Sequence, residues 1–138
     1  MTTDINTSVS DYWGREGLGA AILDALAATG KNLDALTIDD LALTDQFHGG
    51  GKEATLRLAR LAGLAPGMRV LDVGGGVGGP ARTLAVEFGC LVTTLDLTES
   101  FVQAAKMLTA RLGLGAHVTH EVGNALALPF DEIGRAHV

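Results

Sequence analysis

The segment VLDVGGGVGGP, Val70 to Pro80, places an acid two residues ahead of a cluster of glycines. Glycines let a backbone turn tightly and approach a bound molecule without side-chain collision. The spacing fits two patterns. Gly74-x-Gly76-x-x-Gly79 is the fingerprint of a loop that seats a pyrophosphate on a helix N-terminus. Asp72-x-Gly74-x-Gly76-x-Gly78 is an acidic glycine loop. Asp72 discriminates between them. Two like charges ~4 Å apart, at an effective dielectric of ~20, repel by about 4 kcal/mol. A carboxylate here therefore disfavours a pyrophosphate and suits a cationic ligand, one with an ammonium and a sulfonium and no phosphate. Capping of the loop's own amides is a second role for Asp72, compatible with the first.

Asp96 follows Gly76 by 20 residues. A carboxylate at that distance accepts hydrogen bonds from both hydroxyls of a ribose, which supports an adenosine-bearing ligand under either pattern. The alternative is a plain acid at a helix start. Leu97, beside it, can pack on an adenine face. In GNALALPF, Gly123 to Phe130, the Asn124 side-chain oxygen can accept from an adenine amino group and the Ala125 amide can donate to a ring nitrogen. For Asn124 an Asx-type turn is the alternative. His117 and His120 have no carboxylate at metal-ligand spacing and read as solvated residues of an edge strand. There is no His-Glu-x-x-His motif, so no metal is expected. Cys90 is the only cysteine and reads as a small buried hydrophobe rather than a reactive thiol.

These residues need elements that bring the ends of three segments together. After the turn pair Pro66-Gly67, MRVLDV is a nearly continuous apolar run, as in a parallel strand covered on both faces. Pro80 opens the helix PARTLAVEF, which Gly89 ends. CLVTTLD is a second strand. Thr98 caps a helix whose Phe101, Ala105, Leu108 and Leu112 share one face, and AHVTHEV is a third, alternating strand. Strand–helix–strand–helix–strand is half of a doubly wound α/β domain with a parallel sheet. The chain ahead of it reads as helical. Val9, Trp13, Leu18, Ile22 and Leu26 form an apolar stripe, Thr37 caps a short helix, and a third helix runs through KEATLRLARLAG to a stop at Gly63.

Together, VLDVGGGVGGPAR, TTLDLTESFVQAA and GNALALPF resemble the class I S-adenosylmethionine-dependent methyltransferases. The likeness is to the small-molecule group that includes ubiquinone/menaquinone C-methyltransferases and glycine/sarcosine/dimethylglycine N-methyltransferases. It covers roughly residues 45–131, in order. The resemblance implies a Rossmann-like sheet in order 3-2-1 with N-terminal cap helices, S-adenosyl-L-methionine as cofactor and a small-molecule acceptor. It implies backbone at Gly74, Gly76 and Gly78 beside the methionine part, Asp72 near its amino group, Asp96 on the ribose and Asn124 on the adenine. The chain departs from the family at Asn124, often Asp, and at Gly75, often Cys, Ala or Ser. DQFHGGGKEAT is similar to the family's cap, which implies Gln46, Phe47 and His48 over the methyl side of the pocket. His48 there can orient or deprotonate an acceptor, or merely cap a loop. Tyr12 and Trp13 fit lid packing. A nicotinamide-dependent oxidoreductase and a non-catalytic S-adenosylmethionine-binding scaffold are the rival functions.

Bulk properties narrow the classes further. The 138 residues allow one domain at most, and 47% hydrophobic with 19% charged residues is a globular composition. A net charge of -6 argues against a nucleic-acid surface. MTTDINTSVSDYW is no signal peptide, and no apolar stretch reaches the ~18 residues of a membrane span, so a cytoplasmic location is expected. The expected division is a helical cap over 1–64, half of the Rossmann-like domain over 65–131, and a foreign tail over 132–138. EIGRAHV reads as the in-frame translation of a common sequencing adapter, with native sequence ending near Asp131. On that expectation the fold is incomplete, the first strand's outer edge is unpaired, and the chain alone is unstable and inactive while retaining most cofactor contacts.

Overall fold

The computed structural model describes residues 17–46 and 48–130. Val9, Tyr12, Trp13, Phe47 and the tail 132–138 lie outside them. Among the described residues three helices precede the sheet: α1 (Leu18–Ala28), α2 (Ile38–Asp45) and α3 (Gly51–Leu61). The expected apolar stripe survives in α1, which buries Ile22, Leu23 and Leu26. Thr37 caps α2 through a reciprocal pair. The Asp40 amide donates to Thr37 Oγ1 at 3.3 Å, and the Thr37 amide donates to Asp40 Oδ2 at 2.9 Å.

Strands β1 (Arg69–Val73), β2 (Leu91–Asp96) and β3 (Val118–Val122) alternate with helices α4 (Gly79–Phe88) and α5 (Glu99–Arg111). The strands pair in parallel with β2 in the centre, the order the resemblance implied, and β1 and β3 form the edges. Pro80 lies in the first turn of α4, and Gly89 ends that helix in the left-handed region. Thr98 stands at the start of α5, but its side chain caps nothing. Its amide instead donates to Asp96 Oδ1 at 2.9 Å, so the aspartate secures this helix start.

Strand register sorts the sheet's helix-facing side into two rungs. Val70, Val92 and Val118 pair across the three strands and enter one core cluster with Ala81, Leu84 and Ala85 of α4 and Ala59 of α3. Cys90 belongs to that cluster, fully buried and with a free thiol. Two residues further along, the next rung is polar: Asp72, Thr94 and His120. A second cluster joins Ile22, Leu23 and Leu26 of α1 and Leu41 of α2 to Ala104 and Leu108 of α5 and to Val77 of the glycine loop. A fully buried aliphatic side chain contributes about 1.5–3 kcal/mol relative to exposure. This second cluster therefore fixes the N-terminal helices against the loop.

His117 is exposed, as expected of an edge segment. His120 is not: it is 5% exposed, which corrects its reading as a solvated residue. Alternation along β3 puts Val118 and His120 on the same inward face.

Candidate functional site

The glycine loop leaves the carboxyl end of β1 and is strapped to the end of β2. The Gly74 amide donates to the Leu95 carbonyl at 2.7 Å, the Gly75 amide to the same carbonyl at 3.3 Å, and the Gly76 amide to Asp96 Oδ2 at 2.8 Å. Gly74 and Gly78 both take positive φ, +75° and +86°. A cavity of about 1170 Å³ opens above this strap. The loop contributes Val73, Gly74, Gly75, Gly76 and Pro80. The end of β2 and the start of α5 contribute Leu95, Asp96, Leu97, Thr98 and Phe101. Gly123, Asn124 and Ala125 follow β3, and Leu18, Asp45 and His48 come from the N-terminal segment. The structure thus brings Gly74, Gly76, Asp96, Leu97, Asn124, Ala125 and His48 to one cavity.

Asp72 and Gly78 lie behind its wall. Asp72 is 6% exposed, and its Oδ2 has no hydrogen-bond partner. The amides of Gly74, Gly75 and Gly76 go to Leu95 and Asp96 and that of Gly78 to the Gly75 carbonyl, so Asp72 caps none of these. Burial, and secondarily the charge of Asp96, raises its carboxyl to about 7. Gly78 faces inward: a Cβ there would stand 2.7 Å from His120 Cε1 and 2.8 Å from Arg82 Nη1.

Two alternatives from the sequence reading are present in the geometry. Asp96 secures backbone with both oxygens, accepting from Gly76 and Thr98. Asn124 Oδ1 accepts from the Leu126 amide at 2.9 Å, an Asx turn. Each of these oxygens retains acceptor capacity beyond the bond it makes, and both residues line the cavity. His48 is exposed, with Nδ1 3.1 Å from the Gly49 carbonyl and Nε2 3.1 Å from both Gln46 Oε1 and Thr55 Oγ1.

Beneath the loop lies a network that the sequence reading missed. Arg82 is fully buried. Its Nη2 donates to Asp45 Oδ2 at 3.0 Å and to the Val77 carbonyl at 2.7 Å, and its Nη1 donates to Thr109 Oγ1 at 3.1 Å. Thr109 Oγ1 is 2.7 Å from His120 Nε2, and His120 Nδ1 is 2.7 Å from Thr94 Oγ1. Burial, then the charges of Arg82 and Lys106, lowers His120 to about 4, so the imidazole is neutral. Burial pushes Asp45 above its ordinary value, against the pull of Arg82. A signal was present: Arg82 lies one turn before Ala85, on the face that the helical period gives to the core.

Asp45 and Asp96 line the cavity, Asp45 paired with the buried Arg82 and Asp96 with no cationic partner, and among the described residues no Lys or Arg lines it. That donor set fits a cation and opposes a pyrophosphate.

Residues 70–135 match the methyltransferase domain family. The chain is 41% identical over 76 residues to botryococcene C-methyltransferase of Botryococcus braunii, covering 55% of this chain and 20% of that protein. Solved structures share the fold, among them two methyltransferases. A SAM-dependent methyltransferase from Thiobacillus denitrificans, in complex with S-adenosyl-L-homocysteine, matches at a TM-score of 0.52 and 29% identity, over 67% of this chain and 38% of that one. Phosphoethanolamine N-methyltransferase 2 of Haemonchus contortus, in complex with S-adenosyl-L-methionine, matches at 0.51 and 28%, over 66% and 25%. The chain spans about a fifth of the length of the curated relative.

Proposed function

We propose that this chain, which belongs to the class I S-adenosylmethionine-dependent methyltransferases, binds S-adenosyl-L-methionine in the cavity above its glycine loop and serves methyl transfer to a small-molecule acceptor. The observation that carries the reading is the convergence of three separated segments on one cavity whose charged lining is acidic. Relatives named for botryococcene and phosphoethanolamine support a small-molecule acceptor.

In this reading the backbone at Gly74 and Gly76 borders the methionine part, with Asp72 behind it as a negative charge within reach of the cationic end. Gly78 acts from below, holding the loop's turn. Asp96 accepts from the ribose hydroxyls with the lone pairs left over from Gly76 and Thr98. Leu97 covers the adenine, and Asn124 and Ala125 meet its edge. His48, at the cavity's cap side, orients an acceptor. The cofactor supplies an electrophilic methyl group on sulfur. The protein's share is binding, alignment and exclusion of water, since a displacement between two held reactants gains most from proximity.

A nicotinamide dinucleotide is the second reading, and the acidic lining opposes its pyrophosphate. Calorimetric titration with S-adenosylhomocysteine and with NAD separates the two. Saturable binding of the first and none of the second is expected; the reverse sinks the proposal. Methylation of a metabolite panel separates an enzyme from a non-catalytic scaffold.

A further inference from the structure

Arg82 stands in the first turn of α4 with no exposed surface. Three features make it a poor choice for stability alone. Burying a guanidinium is costly, and its pairing with a buried carboxylate often only breaks even against a well-packed apolar pair. A cation at a helix N-terminus opposes the macrodipole. The pair is also imperfect, since Arg82 Nε and Asp45 Oδ1 have no partner. What the arginine supplies is a planar fork that joins three elements. Nη2 donates to the Val77 carbonyl at 2.7 Å and to Asp45 Oδ2 at 3.0 Å. Nη1 donates to Thr109 Oγ1 at 3.1 Å and to the Ala105 carbonyl at 3.4 Å. The glycine loop, the end of α2 and the body of α5 therefore share one rigid group. The same group fills the space under Gly78, and Gly79 has no room for a side chain against Asp45. Residues 77–79 are thus braced from below, while Gly74, Gly75 and Gly76 line the cavity. The strap to Leu95 and Asp96 fixes one end of the loop, and Arg82 fixes the other.

We propose that Arg82 is a positioning residue for the cofactor: through the Val77 carbonyl it holds the glycine loop in its ligand-binding shape without touching the ligand. The proposal rests on the methyltransferase reading. The bond to Val77 is charge-assisted and the shortest of the four that Arg82 makes. A lysine would carry the same charge opposite Asp45, yet its single ammonium lacks the fork that spans Val77 and Thr109. Charge pairing and loop positioning are therefore separable by substitution.

The test compares the 138-residue chain with Arg82→Lys and with Leu84→Ala. Leu84 lies on the same helix, is 1% exposed, and belongs to the first core cluster rather than to the cavity lining. Its truncation leaves a void and lowers stability without touching the loop. At a temperature where all three chains are folded, S-adenosylhomocysteine is titrated by calorimetry, and exchange of the Gly76 and Gly78 amides is followed by NMR. Arg82→Lys is expected to bind about tenfold more weakly, as for one charge-assisted hydrogen bond, and to exchange those amides faster. Leu84→Ala is expected to bind, and to protect the two amides, like the parent. Parent-like affinity in Arg82→Lys overturns the proposal. So does an equal loss in both variants, which would make Arg82 a core residue and nothing more. A parent chain that binds no S-adenosylhomocysteine overturns the methyltransferase reading itself, and amide exchange then still decides whether Arg82 shapes the loop. If Arg82→Lys fails to melt cooperatively, Arg82→Met in an Asp45→Asn background takes its place, read against Asp45→Asn alone, since removing both charges of a buried pair is often tolerated.

Discussion

The Gly76 amide and Asp96 Oδ2 meet at 2.8 Å, so the acid that closes β2 is a structural part of the glycine loop. The 20-residue interval between them had marked Asp96 as a ribose acceptor. In the structure the same carboxylate also sets the loop's height above the sheet and, through Oδ1, the start of α5. One side chain thereby joins both walls of the cavity.

Asp96→Ala removes two charge-assisted bonds to backbone amides, each of the order of 1.5–3 kcal/mol. It is expected to lower the melting temperature as well as the affinity for S-adenosylhomocysteine. Asp96→Asn keeps one carbonyl oxygen and should fall between the two. A Asp96→Ala chain that melts like the parent would show that the strap contributes nothing.

Asp72 governs stability in the opposite sense from most acids. Its folded value, about 7, lies above the 3.8 of an ordinary aspartate. The native state therefore binds the extra proton between those limits, and stability falls as pH rises from about 4 to about 7. Asp72→Asn, uncharged throughout, should abolish this decline and melt higher than the parent at pH 8. A cation bound nearby favours the carboxylate, so affinity for S-adenosylmethionine should weaken as pH drops below about 7. Urea melts and titrations at pH 6 and pH 8 measure both effects.

His120 acts in the other direction. Its folded value of about 4 lies below the ordinary 6.5, so the unfolded chain binds more protons in that interval. Stability is lost as pH falls from 6.5 toward 4. In the parent the two slopes oppose each other over that interval. Asp45, also raised by burial, opposes His120 in the same range, so the His120 slope is read as the difference between Asp72→Asn and Asp72→Asn combined with His120→Asn. Identical pH profiles of those two chains from about pH 4 to pH 6.5 would contradict a buried neutral His120.

The fold was largely legible because its signals are local. Pro80 and Gly89 bracket α4, Thr37 and Asp40 cap α2, and the apolar rung of Val70, Val92 and Val118 needs only the period of a strand. The glycine loop and Asp96 were legible as a motif. What the residues hide is pairing between distant elements. Nothing near Arg82 in the sequence points to Asp45 37 positions earlier, or to Thr109 27 positions later. His120, which reads as solvated on an edge strand without a carboxylate partner, is buried because the inward half of an alternating strand is covered by whatever packs on it. The polar rung Asp72–Thr94–His120 appears only once the register is known.

Two of the loop's three left-handed glycines, Gly74 and Gly78, should separate binding from folding. At Gly74, φ is +75° and an added Cβ would meet no protein atom within 4 Å, while the residue itself lines the cavity. Gly74→Ala carries only the backbone strain of that region, about 1–2 kcal/mol, and places its methyl group where the ligand's backbone contact is made. At Gly78, φ is +86° and the Cβ would strike His120 Cε1 at 2.7 Å and Arg82 Nη1 at 2.8 Å. Neither neighbour can yield. His120 is held at both ring nitrogens, and Arg82 is held by Asp45, Val77 and Thr109. Overpacking of about 1–3 kcal/mol therefore adds to the strain in Gly78→Ala. The expected order reverses between two measurements: Gly78→Ala loses more melting temperature, and Gly74→Ala loses more affinity for S-adenosylhomocysteine per kcal/mol of stability lost. If the two variants lose stability equally, the network beneath the loop is softer than its distances imply.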